Sequence, residues 1–260
     1  MMPSLTEKPG RSPANRSLER GMTILRAFRP GSSLLGNGEI SERTGLSRST
    51  VTRLTQTLVG CGALELDART GAYRLGPLML SLGLSMRSAS VCISEGLPIM
   101  SALAEKYHVN VGLAIADRDE MVYLESLRVH PSISPRHIVA GQRVPIELTS
   151  LGRAYLSTLT PEQRAILYGV FAQRNARRWP QLQLEIKQSL ESIEAEGYCS
   201  ASWQPGVLAL ATPVKCRDLP VHVLNMSLAS AHPLAERITE LADHLIEASH
   251  QIAQGVERAR

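Results

Sequence analysis

Apolar residues recur at helical spacing in three early segments of the chain and then alternate in two short ones. Leu18, Met22, Ile24, Leu25 and Phe28 fall on one broad stripe, which predicts a helix over 18–28 with Ser17 as its cap, ended by Pro30 and Gly31. A short helix over 39–44 and a longer one over 48–61 follow, separated only by Gly45-Leu46-Ser47. In that turn Gly45 takes the positive φ that closes one helix, Leu46 plugs the seam between the two, and Ser47 caps the next. Val51, Leu54 and Leu58 form the inner face of the third helix. Leu64 and Leu66 then alternate with acidic residues, and Tyr73 and Leu75 flank Arg74 beyond a Thr70-Gly71 turn, which reads as a two-stranded hairpin. Helix, tight turn, helix and hairpin together predict a winged helix-turn-helix.

The pattern changes character after Pro77. Leu78, Met79, Leu82 and Met86 predict a connecting helix that starts at that proline and is able to pack on a core or on a second subunit. A helix over 96–107, a hairpin of 109–116 with MVYLESL, an extended stretch over 137–146 and a helix starting near Thr149 follow. Thr160-Pro161-Glu162-Gln163 is a capping box, a further helix spans 181–196 and stops at Gly197, and strands over 206–214 and 221–229 precede a last helix over 233–256. Strands mixed with flanking helices predict an α+β fold, and the expected division is a disordered tail over 1–15, a winged helix-turn-helix over 16–76, a linker helix over 77–92 and a sensor or oligomerisation domain over 93–258.

Composition narrows the class. An apolar share of 43% with 20% charged residues describes a globular chain, and two Phe and two Trp leave the cores to aliphatic side chains. No apolar run is long enough to span a bilayer and the first residues lack a signal-peptide core, so the expectation is a cytoplasmic protein without a membrane partner. Cys61, Cys92, Cys199 and Cys216 contain no CxxC pair and are expected as buried, reduced thiols. Charge is uneven. Residues 1–90 carry 12 Arg and Lys against 6 Asp and Glu, whereas the remainder carries 16 against 18, as a polyanion-binding head on a slightly acidic body would.

The chemistry agrees with that division. Ser47, Arg48, Ser49, Thr50, Thr52 and Arg53 crowd the start of the third helix, where arginine can read guanine and short hydroxyls can meet phosphates or bases; a solvated helix face has the same pattern. Arg69 at the hairpin tip and Arg74 on its return strand are candidate backbone contacts. No GxSxG, HExxH or GxxxxGK[ST] is present, and the seven histidines show no ligand spacing, so neither an enzyme nor a metal or other cofactor is expected.

SLERGMTILRAF, GLSRSTVTRL, the YRLG that ends the hairpin and GQRVPIELTSLGRAYL, in this order, resemble the IclR family of bacterial transcriptional regulators, and the likeness runs from Ser17 to about Ala231. The resemblance implies a winged helix-turn-helix, a linker helix and a GAF-like effector domain, acting as a dimer or dimer of dimers on double-stranded operator DNA. It implies Ser47 to Arg53 as the recognition positions and a small organic or aromatic acid as effector. Gly141, Thr149, Ser150, Leu151 and Gly152 match the family's pocket-forming loop and helix start. In GYCSASWQPGVLALATPV the chain departs from the family: Trp203 stands among residues that replace an acidic segment, and Ala209 takes the place of a cysteine. Loss of acid and thiol with gain of an indole implies an altered, more apolar or aromatic ligand, or a C-terminal domain that serves oligomerisation alone.

Overall fold

The computed structural model describes residues 15–32, 34–128, 138–229 and 234–260. The expected tail over 1–14, His137 at the start of the expected extended stretch, and Pro233 lie outside them. The chain divides after Ala89 into two compact units.

The N-terminal unit opens with α1 (Arg16–Arg26), α2 (Asn37–Thr44) and α3 (Arg48–Gly60). Asn15, not Ser17, caps α1: its side chain accepts from the amides of Ser17 and Leu18, because the helical backbone already begins at Arg16. Gly36 and Glu39 open α2, and Gly45 ends it at φ +71°, the left-handed geometry the turn requires. Ile24, Phe28, Leu35, Ile40, Val51, Leu54, Leu64 and Tyr73 make the core. Leu18 and Met22, expected to share that face, remain 66% and 43% exposed. The wing pairs β1 (Leu64–Asp67) with β2 (Ala72–Leu75), and Leu35 exchanges two backbone bonds with Tyr73 at 2.9 Å, anchoring the wing to the helices. From α4 (Pro77–Ser88), Leu78, Leu80, Leu82, Leu84 and Met86 are all exposed. Cys61 is exposed as well, since it sits just past the end of α3 instead of in a core.

The C-terminal unit is a six-stranded antiparallel sheet in the order β5-β4-β3-β8-β7-β6, formed by β3 (Asn110–Asp117), β4 (Glu120–Leu127), β5 (Arg143–Pro145), β6 (Cys199–Gln204), β7 (Val207–Val214) and β8 (His222–Ala229). One face carries Val111, Leu113, Leu210, Leu224 and Met226, closed by α5 (Val91–Tyr107) and α9 (Leu234–Arg258). The opposite face carries Ala114, Met121, Tyr123, Ala211 and Val223 against α6 (Ser150–Leu156), α7 (Pro161–Arg174) and α8 (Trp179–Glu196). Thr160 and Gln163 form the expected capping box. A buried network ties these helices together. The Arg174 guanidinium grips the Glu147 carboxylate through two bonds at 3.0 and 2.8 Å, and Asn175 donates to the same group at 2.8 Å. β6 was not anticipated, because CSASWQ has small and polar residues where a strand signature needs branched ones.

Candidate DNA-reading face and effector cavity

The outer face of α3 is built by its own hydrogen bonds. Ser47 caps the helix by accepting from the Thr50 amide at 3.3 Å, and its hydroxyl also donates to the Thr50 hydroxyl at 2.9 Å. The Thr52 hydroxyl donates back to the Arg48 carbonyl at 3.0 Å and accepts from the Asn37 amide of α2 at 3.2 Å. Thr57 donates to the Arg53 carbonyl in the same manner. With these hydroxyls held along the helix, Thr52 retains a methyl group and its neighbours keep the long-range polar reach. Arg48 and Arg53 are exposed, and neither side chain has a hydrogen-bond or ion-pair partner among the described residues. Gln56, overlooked in the sequence, is exposed one turn beyond Thr52 and Arg53 and so continues the same face. Its spacing from Ser49, Thr52 and Arg53 was the available signal.

The wing tip adds a further cation. The Asp67 carboxylate accepts from the amides of Thr70 and Arg69, both at 3.0 Å, and the Thr70 bond above all holds its pKa below the usual carboxylate value. This turn leaves the Arg69 guanidinium exposed and unpaired among the described residues. Arg74 differs, since its Nε donates to Glu65 at 2.9 Å across the ladder, where the two are register partners.

In the C-terminal unit a cavity of about 40 Å³ opens over one end of the sheet. Strand register explains it. Gly112 lies opposite Ser126 on one side and Asn225 on the other, and Asn110 lies opposite Ser227, itself opposite Ala209. Along β8 the even positions Leu224, Met226 and Leu228 enter the apolar core while Asn225 and Ser227 turn to the cavity. Gly112 is required there, because a Cβ would come within 2.5 Å of both the Asn225 Oδ1 and the Tyr123 ring. Trp203 and Gln204 of β6 complete the wall. Tyr123, with Asn225 as its side-chain partner, is pushed well above the usual phenol range by burial and stays protonated.

Of the residues singled out in the sequence, Trp203 and Ala209 line this cavity. The helix start does not. Thr149 uses its hydroxyl to accept from the Gly152 amide at 3.2 Å and to donate to the Pro145 carbonyl at 2.8 Å. Ser150 and Leu151 are each 1% exposed, and a Cβ on Gly152 would run into the Ile146 backbone. Gly141 makes a turn at φ +83° and donates its amide to the Tyr123 carbonyl at 2.7 Å, three residues after the lining residue Ile138.

Residues 17–68 match the IclR helix-turn-helix domain and residues 88–254 match the C-terminal domain of the bacterial transcriptional regulator IclR. This chain belongs to the IclR family. Among curated relatives, the HTH-type transcriptional regulator TsaQ1/TsaQ2 of Comamonas testosteroni is 32% identical over 184 residues, spanning 70% of this chain and 66% of that protein. The Pca regulon regulatory protein of Pseudomonas putida is 25% identical over 245 residues, 85% of this chain and 84% of its own length. The crystal structure of an IclR-family transcriptional regulator from Brucella abortus superposes with a TM-score of 0.85 at 32% identity, covering 94% of this chain and 93% of the other. The family consists of DNA-binding regulators of transcription, not enzymes. Among the described residues no helix is long and apolar enough to cross a membrane and no cluster of three or more His, Cys, Asp or Glu could hold a metal.

The cavity also has lining side chains that the sequence did not single out. Asn110, Ser126, Asn225 and Ser227 were legible only as polar residues at alternate positions of apolar strands. The buried thiols take no part: Cys199 and Cys92 are pushed up to about 12 by burial, so both are neutral at physiological pH.

Proposed function

We propose that the protein is a sequence-specific regulator that reads operator DNA with α3 and the wing and adjusts that grip to a small ligand held over the sheet. The observation that carries the DNA reading is a set of exposed guanidiniums without partners among the described residues: Arg48 and Arg53 on a helix whose hydroxyls are held internally, and Arg69 on the wing. Arg48 and Arg53 are positioned to read guanine, Gln56 to pair with adenine and the Thr52 methyl to pack on a thymine methyl, while Ser47, Ser49, Thr50, Arg69 and Arg74 serve the backbone. The exposed apolar side chains of α4, with Leu18 and Met22, suit a self-association surface within a dimer or dimer of dimers. Ligand binding then shifts the population of the DNA-competent arrangement.

The effector half of this reading draws on the cavity and on a crystal structure of an IclR homologue from Microbacterium hydrocarbonoxydans complexed with 4-hydroxybenzoate, which shares the fold at 23% identity. The second reading, a C-terminal unit for oligomerisation only, draws on the closed packing of Thr149 to Gly152. Fluorescence anisotropy with DNA from upstream of the protein's own gene, at several salt concentrations and against an unrelated duplex, tests the first part. Specific, salt-sensitive binding is expected, and absence of any DNA binding overturns it. Thermal unfolding with organic acids separates the two readings, because a ligand at 100 times its Kd adds about 2.7 kcal/mol.

A further inference from the structure

Among the described residues, three buried side-chain polar atoms without a partner converge on the cavity: Asn110 Oδ1, Asn225 Oδ1 and Gln204 Nε2. A buried polar group left unpaired costs about 1–3 kcal/mol, so three in one place mark a site that something completes. The described lining contains no Asp or Glu. Its cationic residue is Arg128, which follows Leu127, the register partner of Val111, and so stands level with Asn110 and Ser227. The inner row, Ser126, Asn225 and the fully buried Tyr123, is neutral.

We propose that the cavity takes a hydroxylated ligand whose hydroxyl end, not a carboxylate, enters among Asn110, Asn225 and Gln204. The inference rests on the effector reading above and names the chemistry of that site. A hydroxyl donates and accepts at once, so it satisfies a carboxamide whichever way the amide is turned. A carboxylate only accepts, so of the three unpaired atoms it could meet Gln204 Nε2 but neither the Asn110 nor the Asn225 oxygen, whereas a hydroxyl can meet all three. Trp203 supplies a flat apolar wall for the carbon skeleton.

The test uses the full-length protein and matched probes that differ by hydroxyl groups: 4-hydroxybenzoate against benzoate, and glycerate against propionate. The chain has two tryptophans, so Trp179→Phe leaves Trp203 as the single indole reporter at the cavity wall. Binding is read from Trp203 emission and, in the unmodified protein, from calorimetry. The hydroxylated member of at least one pair is expected to bind tenfold or more tightly than its partner, and Asn225→Ala and Asn110→Ala are each expected to bring that ratio close to one. Retained unfolding temperature and operator affinity in those variants show that the fold is intact. Equal binding within both pairs, or tighter binding of the unhydroxylated acids, overturns the hydroxyl inference while leaving an effector site in place. No Trp203 response and no calorimetric signal with any of the four removes the effector reading and this inference with it.

Discussion

The outer face of α3 and the sheet cavity both present polar groups without partners among the described residues, yet the two absences carry different weight. On α3 the guanidiniums of Arg48 and Arg53 are exposed, and water satisfies them. Leaving them unpaired costs the fold almost nothing, and only their arrangement on a turn-capped helix beside a wing gives them meaning. In the cavity the oxygens of Asn110 and Asn225 are shielded from bulk solvent, so their lack of partners lowers stability. An unpaired group inside is thus stronger evidence for a ligand than one outside, and the same depth dependence governs how substitutions act.

The largest expected effect tests that depth dependence within ion pairs. Arg174→Ala leaves the Glu147 carboxylate, 1% exposed, without its charge partner, and although Arg174 itself is 37% exposed and Asn175 still donates to that group, it should destabilise by about 2–3 kcal/mol in thermal or urea unfolding. Arg74→Ala breaks the wing pair with Glu65, both partners about half exposed, and should cost at most about 1 kcal/mol. Similar losses from the two would break the comparison.

Next come Arg48→Ala and Arg53→Ala. Each should weaken operator binding by about 1–3 kcal/mol if it holds a bidentate guanine contact, while unfolding stability shifts by no more than about 0.5 kcal/mol. Unaltered affinity in both removes α3 as the reading element.

Asn110→Leu probes the cavity in the opposite sense. Replacing an unpartnered buried carboxamide by an apolar group of similar size should leave the ligand-free protein unchanged or raise its stability by up to about 1 kcal/mol, with loss of ligand binding. A marked loss of stability would mean that Asn110 serves the fold and not a ligand.

The last prediction is a slope. Burial lowers the pKa of His222, which stays neutral in the folded protein, while the bond with Pro220 opposes the shift. The unfolded chain binds the proton first as the pH falls. Stability should therefore decline from the ordinary histidine value of about 6.5 downward to the lowered folded value, and be unaffected by this group above it. His222→Gln should flatten that part of a stability-versus-pH curve, and an unchanged slope would assign the acid sensitivity elsewhere.

Much of the N-terminal unit was legible because its signals are local. Gly45 and Ser47 mark a turn within three residues, and Val51 and Leu54 mark a helix face within one turn. The shift of the first cap from Ser17 to Asn15 and the exposure of Leu18 and Met22 show where locality ends, because a stripe of apolar residues does not say which part of it a neighbouring helix covers. The cavity was poorly legible for a related reason. Asn110 and Ser126 come from one hairpin and Asn225 and Ser227 from β8, far along the chain, and β6, which carries Trp203, lacks a strand signature of its own. Thr149 to Gly152 looked like a ligand-facing helix start, yet the helix lies against Ile146 and Cys199, so its amides and hydroxyl are turned inward.

By itself, the sequence determined the order of elements, the turn chemistry of the helix-turn-helix, the excess of basic charge in the first third and membership of a family of DNA-binding regulators, all of which are written in short windows or in ordered motifs. Only the tertiary structure decided which arginines remain unpaired, which polar atoms are buried without partners and where the sheet leaves room for a ligand. Those properties depend on strand register and on which helix covers which half of a sheet face, and a shift of one residue in register would turn Asn225 and Ser227 into the opposite core.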